Sequence, residues 1–320
     1  MEIRNLGTSG LRVSAVGLGC NNLGGRLDAA ASKTVVNAAF ENGITLFDTA
    51  DRYPVTSPGK SEELLADGLG SHRDEVIVAT KFGLPMDDAG RKSGASRQYI
   101  MQAVEASLRR LKTDWIDLYQ VHTPDPHTPI DETICALDDL LTQGKIRYAG
   151  CSNFAAWQVS DAVWTAKSLH RPAFVSCQDE YSLLARGIEL ELVPAMVAHG
   201  LGFLPYFPLA SGLLSGKYRG GARPAGSRLT TAKQLMDIFA NDANFALADR
   251  LSDFAEAHGH TPLELAFSWL LSRPAVASVI AGASNPEQIE QNVAAVGWTL
   301  TPAERAEIEE IAPGPKKPVH

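Results

Sequence analysis

A (β/α)8 barrel is the fold class that this 320-residue sequence predicts, and two observations support it. Eight short runs of apolar, β-favouring residues recur along the chain, and each is followed by a helical pattern or a long loop. Strands that alternate with helices are typical of a parallel sheet. An open doubly wound sheet is the alternative, but eight near-regular units favour closure into a barrel.

The elements can be predicted in order along the chain. A β-hairpin is expected over residues 2–13, because two strand-like fragments flank a turn sequence at 7–10. Runs rich in β-branched and aromatic residues predict barrel strands at 14–19, 44–49, 76–81, 115–122, 146–152, 174–178, 203–208 and 276–282. Periodic apolar positions predict helices between them at 32–42, 61–69, 97–111, 131–143 and 155–168.

The regular spacing breaks after the seventh strand, where a glycine-rich segment covers 209–240. So long a loop inside a compact domain is usually functional or disordered. Helices are expected next at 244–258 and 261–272, the second because Thr261-Pro262 has the preferred N-cap and first-turn residues. Residues 1–320 are predicted to form a single domain, with a frayed tail from about residue 312.

Composition restricts the class of partner. The net charge of −8 argues against nucleic acid or an anionic membrane surface, although local amides and single cations can still hold an anionic cofactor. No run approaches the ~18 apolar residues of a membrane helix. The four cysteines show neither disulfide-framework nor metal spacing, so we expect reduced thiols, no metal and a cytoplasmic location.

Four polar residues are predicted to share one rim of the barrel. Asp48, Lys81 and His122 each close a strand-like run, and Tyr53 lies in the loop after the first of these runs. The carboxyl ends of barrel strands converge on the rim that carries the chemistry. The exposed loop at 123–130 contains a rival imidazole, His127, which is expected to lie on the surface.

These four side chains have the chemistry of a proton-donating site. Hydride reduction of a carbonyl leaves an alkoxide that a general acid must protonate. A free tyrosine, with a pKa of about 10, holds its proton tightly, and the nearby ammonium of Lys81 would lower that pKa. Asp48 would pair with Lys81, while His122 would donate a hydrogen bond to the carbonyl oxygen.

The order and context of these residues resemble the aldo-keto reductase family, whose Asp-Tyr-Lys-His tetrad reduces carbonyls with a nicotinamide cofactor. The motifs GITLFDTADRY, ATKFG and DLYQVH carry the resemblance, which extends over nearly the whole chain. It implies an NAD(P)H-dependent reductase that reversibly converts an aldehyde or ketone to an alcohol, with Tyr53 as the acid. One departure is Pro54, where relatives often have glycine.

The resemblance also implies the cofactor site, since neither GLGCNNLGG nor GLLSGK completes a dinucleotide or phosphate-loop motif. Tyr206 would stack on the nicotinamide, and the segment 207–218 would wrap the pyrophosphate. The complete predicted cofactor set is Gly19, Cys20, Asp48, Ser152, Asn153, Gln178, Tyr206, Phe207, Pro208, Leu209, Ser211, Gly212, Leu214, Gly216, Lys217, Gly282, Ser284, Gln288, Gln291 and Asn292. Asn21 and Phe82 are expected in the substrate pocket.

Two departures bear on cofactor choice. Many relatives have Arg or Lys at the position of Ser284 and Glu at that of Gln291. The expectation is therefore a modest preference for NADP(H), with NAD(H) also accepted. The resemblance implies that the substrate is a small carbonyl or alcohol, and that its identity depends on loops near 21–30, 83–95, 123–130 and 219–240. The alternative function is a cofactor-sensing subunit that resembles potassium-channel β subunits.

Overall fold

The computed structural model of the chain describes residues 1–224, 226–231 and 233–316. Two short antiparallel strands, β1 (Ile3–Asn5) and β2 (Arg12–Ser14), form the predicted hairpin. Eight parallel strands follow: β3 (Val16–Gly19), β4 (Leu46–Asp48), β5 (Ile77–Phe82), β6 (Ile116–Val121), β7 (Ile146–Ser152), β8 (Ser176–Glu180), β9 (Gly202–Tyr206) and β10 (Val279–Ala281). They pair in the order β10-β3-β4-β5-β6-β7-β8-β9, and a parallel bridge between Phe203 and Val276 closes the ring. The predicted (β/α)8 barrel is confirmed.

Helices connect the strands and surround the barrel. They are α1 (Ala29–Glu41), α2 (Lys60–Leu69), α3 (Arg97–Leu111), α4 (Ile130–Thr142), α5 (Ala156–Ser168), α6 (Leu192–His199), α7 (Arg228–Thr231), α8 (Lys233–Phe239), α9 (Asp242–Ala257), α10 (Pro262–Leu271), α11 (Pro286–Ala294) and α12 (Pro302–Ile311). Thr261 caps α10 as its sequence predicts, because its hydroxyl accepts from the Glu264 amide at 3.2 Å. None of the described helices is long and apolar enough to cross a membrane.

Strand ends differ from the predicted runs for local reasons. Ser14 belongs to the hairpin rather than to the first barrel strand. The seventh barrel strand ends at Tyr206 because Phe207 has a φ of 50°, which is incompatible with extended backbone. The last strand is regular only over Val279–Ala281, with the isolated bridge at Val276 before it.

The hairpin covers the amino-terminal end of the barrel. Its side chains Leu6, Leu11 and Val13 belong to the same buried cluster as residues of the barrel strands, among them Leu46, Ala79, Leu118 and Leu204. Ser14 N also donates to the hydroxyl of Thr45 just before β4, at 2.9 Å. A separate, larger cluster fills the space between the strands and the helices. The hairpin therefore completes the core on the side away from the strands' carboxyl ends.

Gly7→Ala is expected to lower the free energy of unfolding by at least about 2 kcal/mol. Gly7 has a φ of +61°, and an added Cβ would overlap the backbone of Gly200 and Gly202. Gly10→Ala, in the same turn, is the matched control because its Cβ would meet only the Tyr148 hydroxyl at 3.6 Å. Urea unfolding of both variants measures the difference. Equal stability of the two would contradict this account of the turn.

The glycine-rich segment after β9 is more ordered than its composition predicts. It contains 3-10 turns at Ala210–Ser215 and Arg219–Gly221 and the helices α7 and α8. The tail also differs from the predicted fraying as far as Gly314. Ala312 is buried and its carbonyl accepts from Arg186, while the Gly314 amide donates to Glu309 at 2.8 Å. Residues 317–320 of the predicted frayed tail lie outside the described part of the chain.

Candidate active site

A cavity of about 650 Å³ lies at the carboxyl ends of the strands. That volume is within the usual range for small-molecule sites. The predicted site residues that line it are Gly19, Cys20, Asn21, Asp48, Tyr53, His122, Ser152, Asn153, Gln178, Tyr206, Phe207, Pro208, Leu209, Ser211, Gly212, Lys217, Gly282, Ser284, Gln288, Gln291 and Asn292. The fold thus brings together residues that are separated by more than half of the chain.

The expected place of Phe82 in the substrate pocket needs correction. Successive side chains of a strand point to opposite faces, so Phe82 points away from the face that carries Lys81. It is fully buried and stacks on Tyr119, with ring centroids 4.6 Å apart. Leu214 and Gly216 are also absent from the cavity wall. Leu214 is buried, and Gly216 would contact Pro262 of α10 if it had a Cβ.

A buried ion pair lies behind the cavity wall. Lys81 Nζ contacts Asp48 Oδ1 at 2.9 Å and Oδ2 at 2.7 Å, and it donates to the carbonyl oxygen of Thr49 at 2.8 Å. Burial lowers the pKa of the Lys81 ammonium, but Asp48 and the neighbouring Tyr53 phenol more than compensate, so the pKa lies above its ordinary value. The Lys81 ammonium is therefore favoured over the neutral amine at neutral pH.

Two amides hold the Asp48 carboxylate from the other side. Gln178 Nε2 donates to Asp48 Oδ1 at 2.9 Å, and Gln120 Nε2 approaches the same oxygen at 3.3 Å. The predicted cofactor residue Gln178 thus fixes the carboxylate in this structure. Gln120 was not predicted, although its position in β6, two residues before His122, puts its side chain on the same face.

Tyr53 and His122 face each other over this ion pair. Their rings meet edge to face with centroids 5.6 Å apart, and Lys81 Nζ is 5.5 Å from the Tyr53 centroid. Burial is the largest influence on the Tyr53 phenol and raises its pKa, whereas Lys81 lowers it and Asp48 raises it. The expected effect of Lys81 is present, but burial outweighs it. The net pKa is above 10.0 rather than below it.

His122 is a neutral imidazole. Burial, with Lys81 as the second cause, lowers its pKa from 6.5 to about 3. Its Nδ1 atom is buried without a hydrogen-bond partner. A neutral ring carries one N–H donor and leaves the other nitrogen as an acceptor, so it can orient a carbonyl without adding charge. The rival His127 is exposed on its loop, as expected.

Next to this cluster, three side chains form a hydrogen-bonded chain along the cavity wall. Tyr206 OH donates to Asn153 Oδ1 at 2.8 Å, and Asn153 Nδ2 donates to the His122 carbonyl at 2.9 Å and to Ser152 Oγ at 3.1 Å. This chain links the ends of β6, β7 and β9. A flat polar ligand such as a carboxamide would meet these groups beside the Tyr206 ring.

The segment after β9 offers the features that a phosphate group requires. Ala210, Ser211 and Gly212 have φ values of 44°, 58° and 96°, and the amides of Ala210 and Gly212 donate to the carbonyls of Phe207 and Leu209 at 2.9 and 2.7 Å. Ser211 Oγ is buried without a partner. A Cβ on Gly212 would come within 2.6 Å of Lys217 Nζ, so glycine leaves room for this cation beside the turn. The Ser211 hydroxyl and the Lys217 ammonium are therefore the groups of this segment that would hold a dinucleotide pyrophosphate.

The far end of the cavity is formed by the start of α11. Asn285 caps the helix by accepting from Gln288 N at 2.9 Å. Ser284 is engaged as well, because its backbone amide and hydroxyl both donate to Gln288 Oε1, at 2.8 and 3.0 Å. An anion at this helix terminus would benefit from the helix dipole but would compete with Gln288 for Ser284.

Several residues of the cavity wall were not among those predicted from the sequence. These are Asn22, Arg26, Ser215, Gly226, Ser227, Leu263, Ile280 and Ala281. The loops near 21–30 and 219–240 had been expected to shape the pocket, and they supply Arg26, Gly226 and Ser227. No described residue from 83–95 or 123–130 lines the cavity. Within the part of the chain that the structure describes, no group of three or more His, Cys, Asp or Glu residues could hold a metal.

A closed (β/α)8 barrel with these four polar side chains at its carboxyl rim defines a class of barrel oxidoreductases. Comparison with known proteins agrees, since the model of the aldo/keto reductase family matches residues 15–313. The chain belongs to the aldo/keto reductase family.

Its relatives include both reductases and channel-associated proteins. L-glyceraldehyde 3-phosphate reductase of Escherichia coli strain K12 is 34% identical, over 98% of this chain and 93% of its own. Versiconal hemiacetal acetate reductase of Aspergillus parasiticus is 33% identical, over 97% of this chain and 96% of its own. A probable voltage-gated potassium channel subunit beta of Arabidopsis thaliana is 35% identical, over 99% of both chains.

Proposed function

We propose that this protein reduces an aldehyde or ketone to an alcohol, reversibly, with NAD(P)H. The observation that carries the proposal is the buried Lys81–Asp48 pair directly beneath Tyr53 and His122 on the cavity wall. Two relatives support it, because they are named as reductases of L-glyceraldehyde 3-phosphate and of versiconal hemiacetal acetate. The four free cysteines support a reducing compartment, so we propose the cytoplasm as its location.

The bound nicotinamide would supply the hydride, and the chain supplies the proton and the orientation. Tyr53 is the general acid, and its raised pKa keeps the phenol protonated at neutral pH. His122, neutral because of burial, donates to the carbonyl oxygen and holds it near the phenol. Lys81 stabilises the tyrosinate that remains after proton transfer, and Asp48 holds the ammonium in position.

A panel of aldehydes and ketones tests the proposal directly. Consumption of NADPH or NADH, followed by absorbance, is expected with at least one small carbonyl and is reversed with the matching alcohol at higher pH. Binding of the cofactor without turnover of any carbonyl would instead support a cofactor-sensing subunit. That second candidate is favoured by the relatives named as potassium channel β subunits.

For the cofactor, we propose a modest preference for NADP(H), with NAD(H) also accepted. The cation that many relatives place at the 2′-phosphate is replaced by Ser284, which here already bonds to Gln288. The N-terminus of α11 still favours an anion, and Lys217 adds positive charge to the same cavity. A charge-assisted hydrogen bond contributes about 1.5–3 kcal/mol, so its loss reduces discrimination by roughly tenfold to a hundredfold.

Ser284→Arg is therefore expected to raise the NADP(H) over NAD(H) ratio of kcat/KM by about tenfold or more. The guanidinium would meet the 2′-phosphate, which only NADP(H) carries. The neutral Ser284→Ala is the control, because it removes the hydroxyl without adding charge. A wild type that strongly prefers NAD(H), or an unchanged ratio in Ser284→Arg, would show that the 2′-phosphate does not bind at this helix.

A further inference from the structure

The loop between β3 and α1 holds an arginine at the mouth of the cavity. The backbone of this loop is fixed by bonds from Gly24 N to Leu27 O at 2.9 Å and from Leu27 N to Asn22 O at 3.0 Å. Leu23 and Leu27 are buried beneath it. The Arg26 side chain is exposed and lines the cavity. Arg26 is thus presented by a well-anchored turn rather than by a loose loop.

The turn that carries Arg26 packs beside the residue that follows Tyr53, and both Arg26 and Tyr53 line the cavity. A Cβ on the preceding Gly25 would be 3.2 Å from the Cβ of Pro54, the residue that follows Tyr53. Across the mouth, Arg26 Nη2 donates to the carbonyl oxygen of Gly226 at 3.1 Å. A guanidinium has five N–H donors, so this bond leaves most of its donor capacity for a ligand.

The electrostatics of the described wall favour an anion at this point. Asp48 is the single carboxylate among the described wall residues, and Lys81 neutralises it. Arg26 takes part in none of the ion pairs of the described residues. Lys217 is the other cation of the wall, and it lies in the segment that is expected to bind the pyrophosphate of the cofactor. Arg26 therefore gives the mouth of the cavity a positive charge that no described carboxylate neutralises in an ion pair.

We propose that Arg26 binds an anionic group, a carboxylate or a phosphate, on the carbonyl substrate. The inference rests on the proposed reductase function and names its substrate class as anionic aldehydes or ketones. A guanidinium matches carboxylate and phosphate oxygens with paired, parallel hydrogen bonds. The carbonyl end would lie between Tyr53 and His122, while the anionic end points toward the mouth.

The test compares two substrates that differ only by the charge. We would measure kcat/KM for 4-oxobutanoate and for butanal with wild type, Arg26→Gln and Arg12→Gln. Arg12 is an exposed arginine of the hairpin, outside the cavity, so it controls for the change in net charge. Wild type is expected to prefer 4-oxobutanoate, and this preference is expected to fall about tenfold in Arg26→Gln but not in Arg12→Gln. The preference should also weaken as ionic strength rises.

The outcomes separate this inference from the proposed function. Turnover of both aldehydes without a preference for the anion, or a preference that Arg26→Gln leaves intact, would overturn the role of Arg26 while reductase activity stands. Equal loss on both substrates with weaker NADPH binding, measured by fluorescence titration, would assign Arg26 to the cofactor and also overturn it. Absence of turnover with every carbonyl of the wider panel would overturn the proposed function itself.

Discussion

Tyr53→Phe is expected to lower kcat/KM for carbonyl reduction by about 10²–10⁴-fold, the usual cost of losing a general acid. The substitution keeps the ring that packs against His122 and removes only the hydroxyl. Affinity for NADPH is expected to change little, because the phenol acts on the substrate oxygen. Stopped-flow or steady-state absorbance with the best substrate of the panel measures the first effect, and fluorescence titration measures the second.

Tyr148→Phe is the matched control for this prediction. Tyr148 lies in β7 and packs against the buried cluster under the hairpin, away from the cavity. Its loss of a hydroxyl should leave turnover at the wild-type level. Comparable turnover in Tyr53→Phe and wild type would remove Tyr53 from the role of acid.

Lys81→Met is expected to abolish most activity and to destabilise the protein. Removing one partner of a buried ion pair costs about 3–5 kcal/mol, because the remaining charge is left uncompensated. Asp48 would be that remaining charge, held only by the amides of Gln178 and Gln120. Lys81 is also the group that lowers the pKa of Tyr53, so its loss raises this pKa further above the ordinary value.

The loss of stability and the loss of activity in Lys81→Met have different causes, so a second variant can separate them. Asp48→Asn combined with Lys81→Met removes both charges and is expected to recover stability without recovering activity. Lys33→Met, on the exposed face of α1, controls for the change of residue type. The measurements are urea unfolding and the pH dependence of kcat. An active Lys81→Met variant with an unchanged pH profile would disprove the electrostatic role of Lys81.

The rim residues could be predicted from sequence because they lie at or near the end of a recognisable strand. Asp48, Lys81 and His122 end apolar runs, and parallel strands place such ends together whatever the details of their packing. The hairpin and most helices could also be predicted from local sequence signals, such as Thr261 as the N-cap of α10.

Features that depend on contacts between distant parts of the chain could not be predicted from local sequence patterns. The hydrogen bond from Arg26 to the Gly226 carbonyl joins residues two hundred positions apart, so no local pattern indicates that they meet at the cavity. The pKa of Tyr53 follows from how completely the surrounding strands bury the phenol, and the sequence records only that Lys81 is near. Phe82 follows Lys81 in the sequence, but neighbouring side chains of a strand point to opposite faces, so Phe82 packs on Tyr119 instead of lining the cavity.

The hairpin at the opposite end of the barrel has a consequence for engineering. It contributes Leu6, Leu11 and Val13 to the inner core, while the cavity draws on loops at the other end. Residues of the rim around Arg26 and Ser227 can therefore be randomised in a search for new substrates while the stabilising contacts of the hairpin stay unchanged. A barrel divided in this way can change what it recognises while the residues that keep it folded remain fixed.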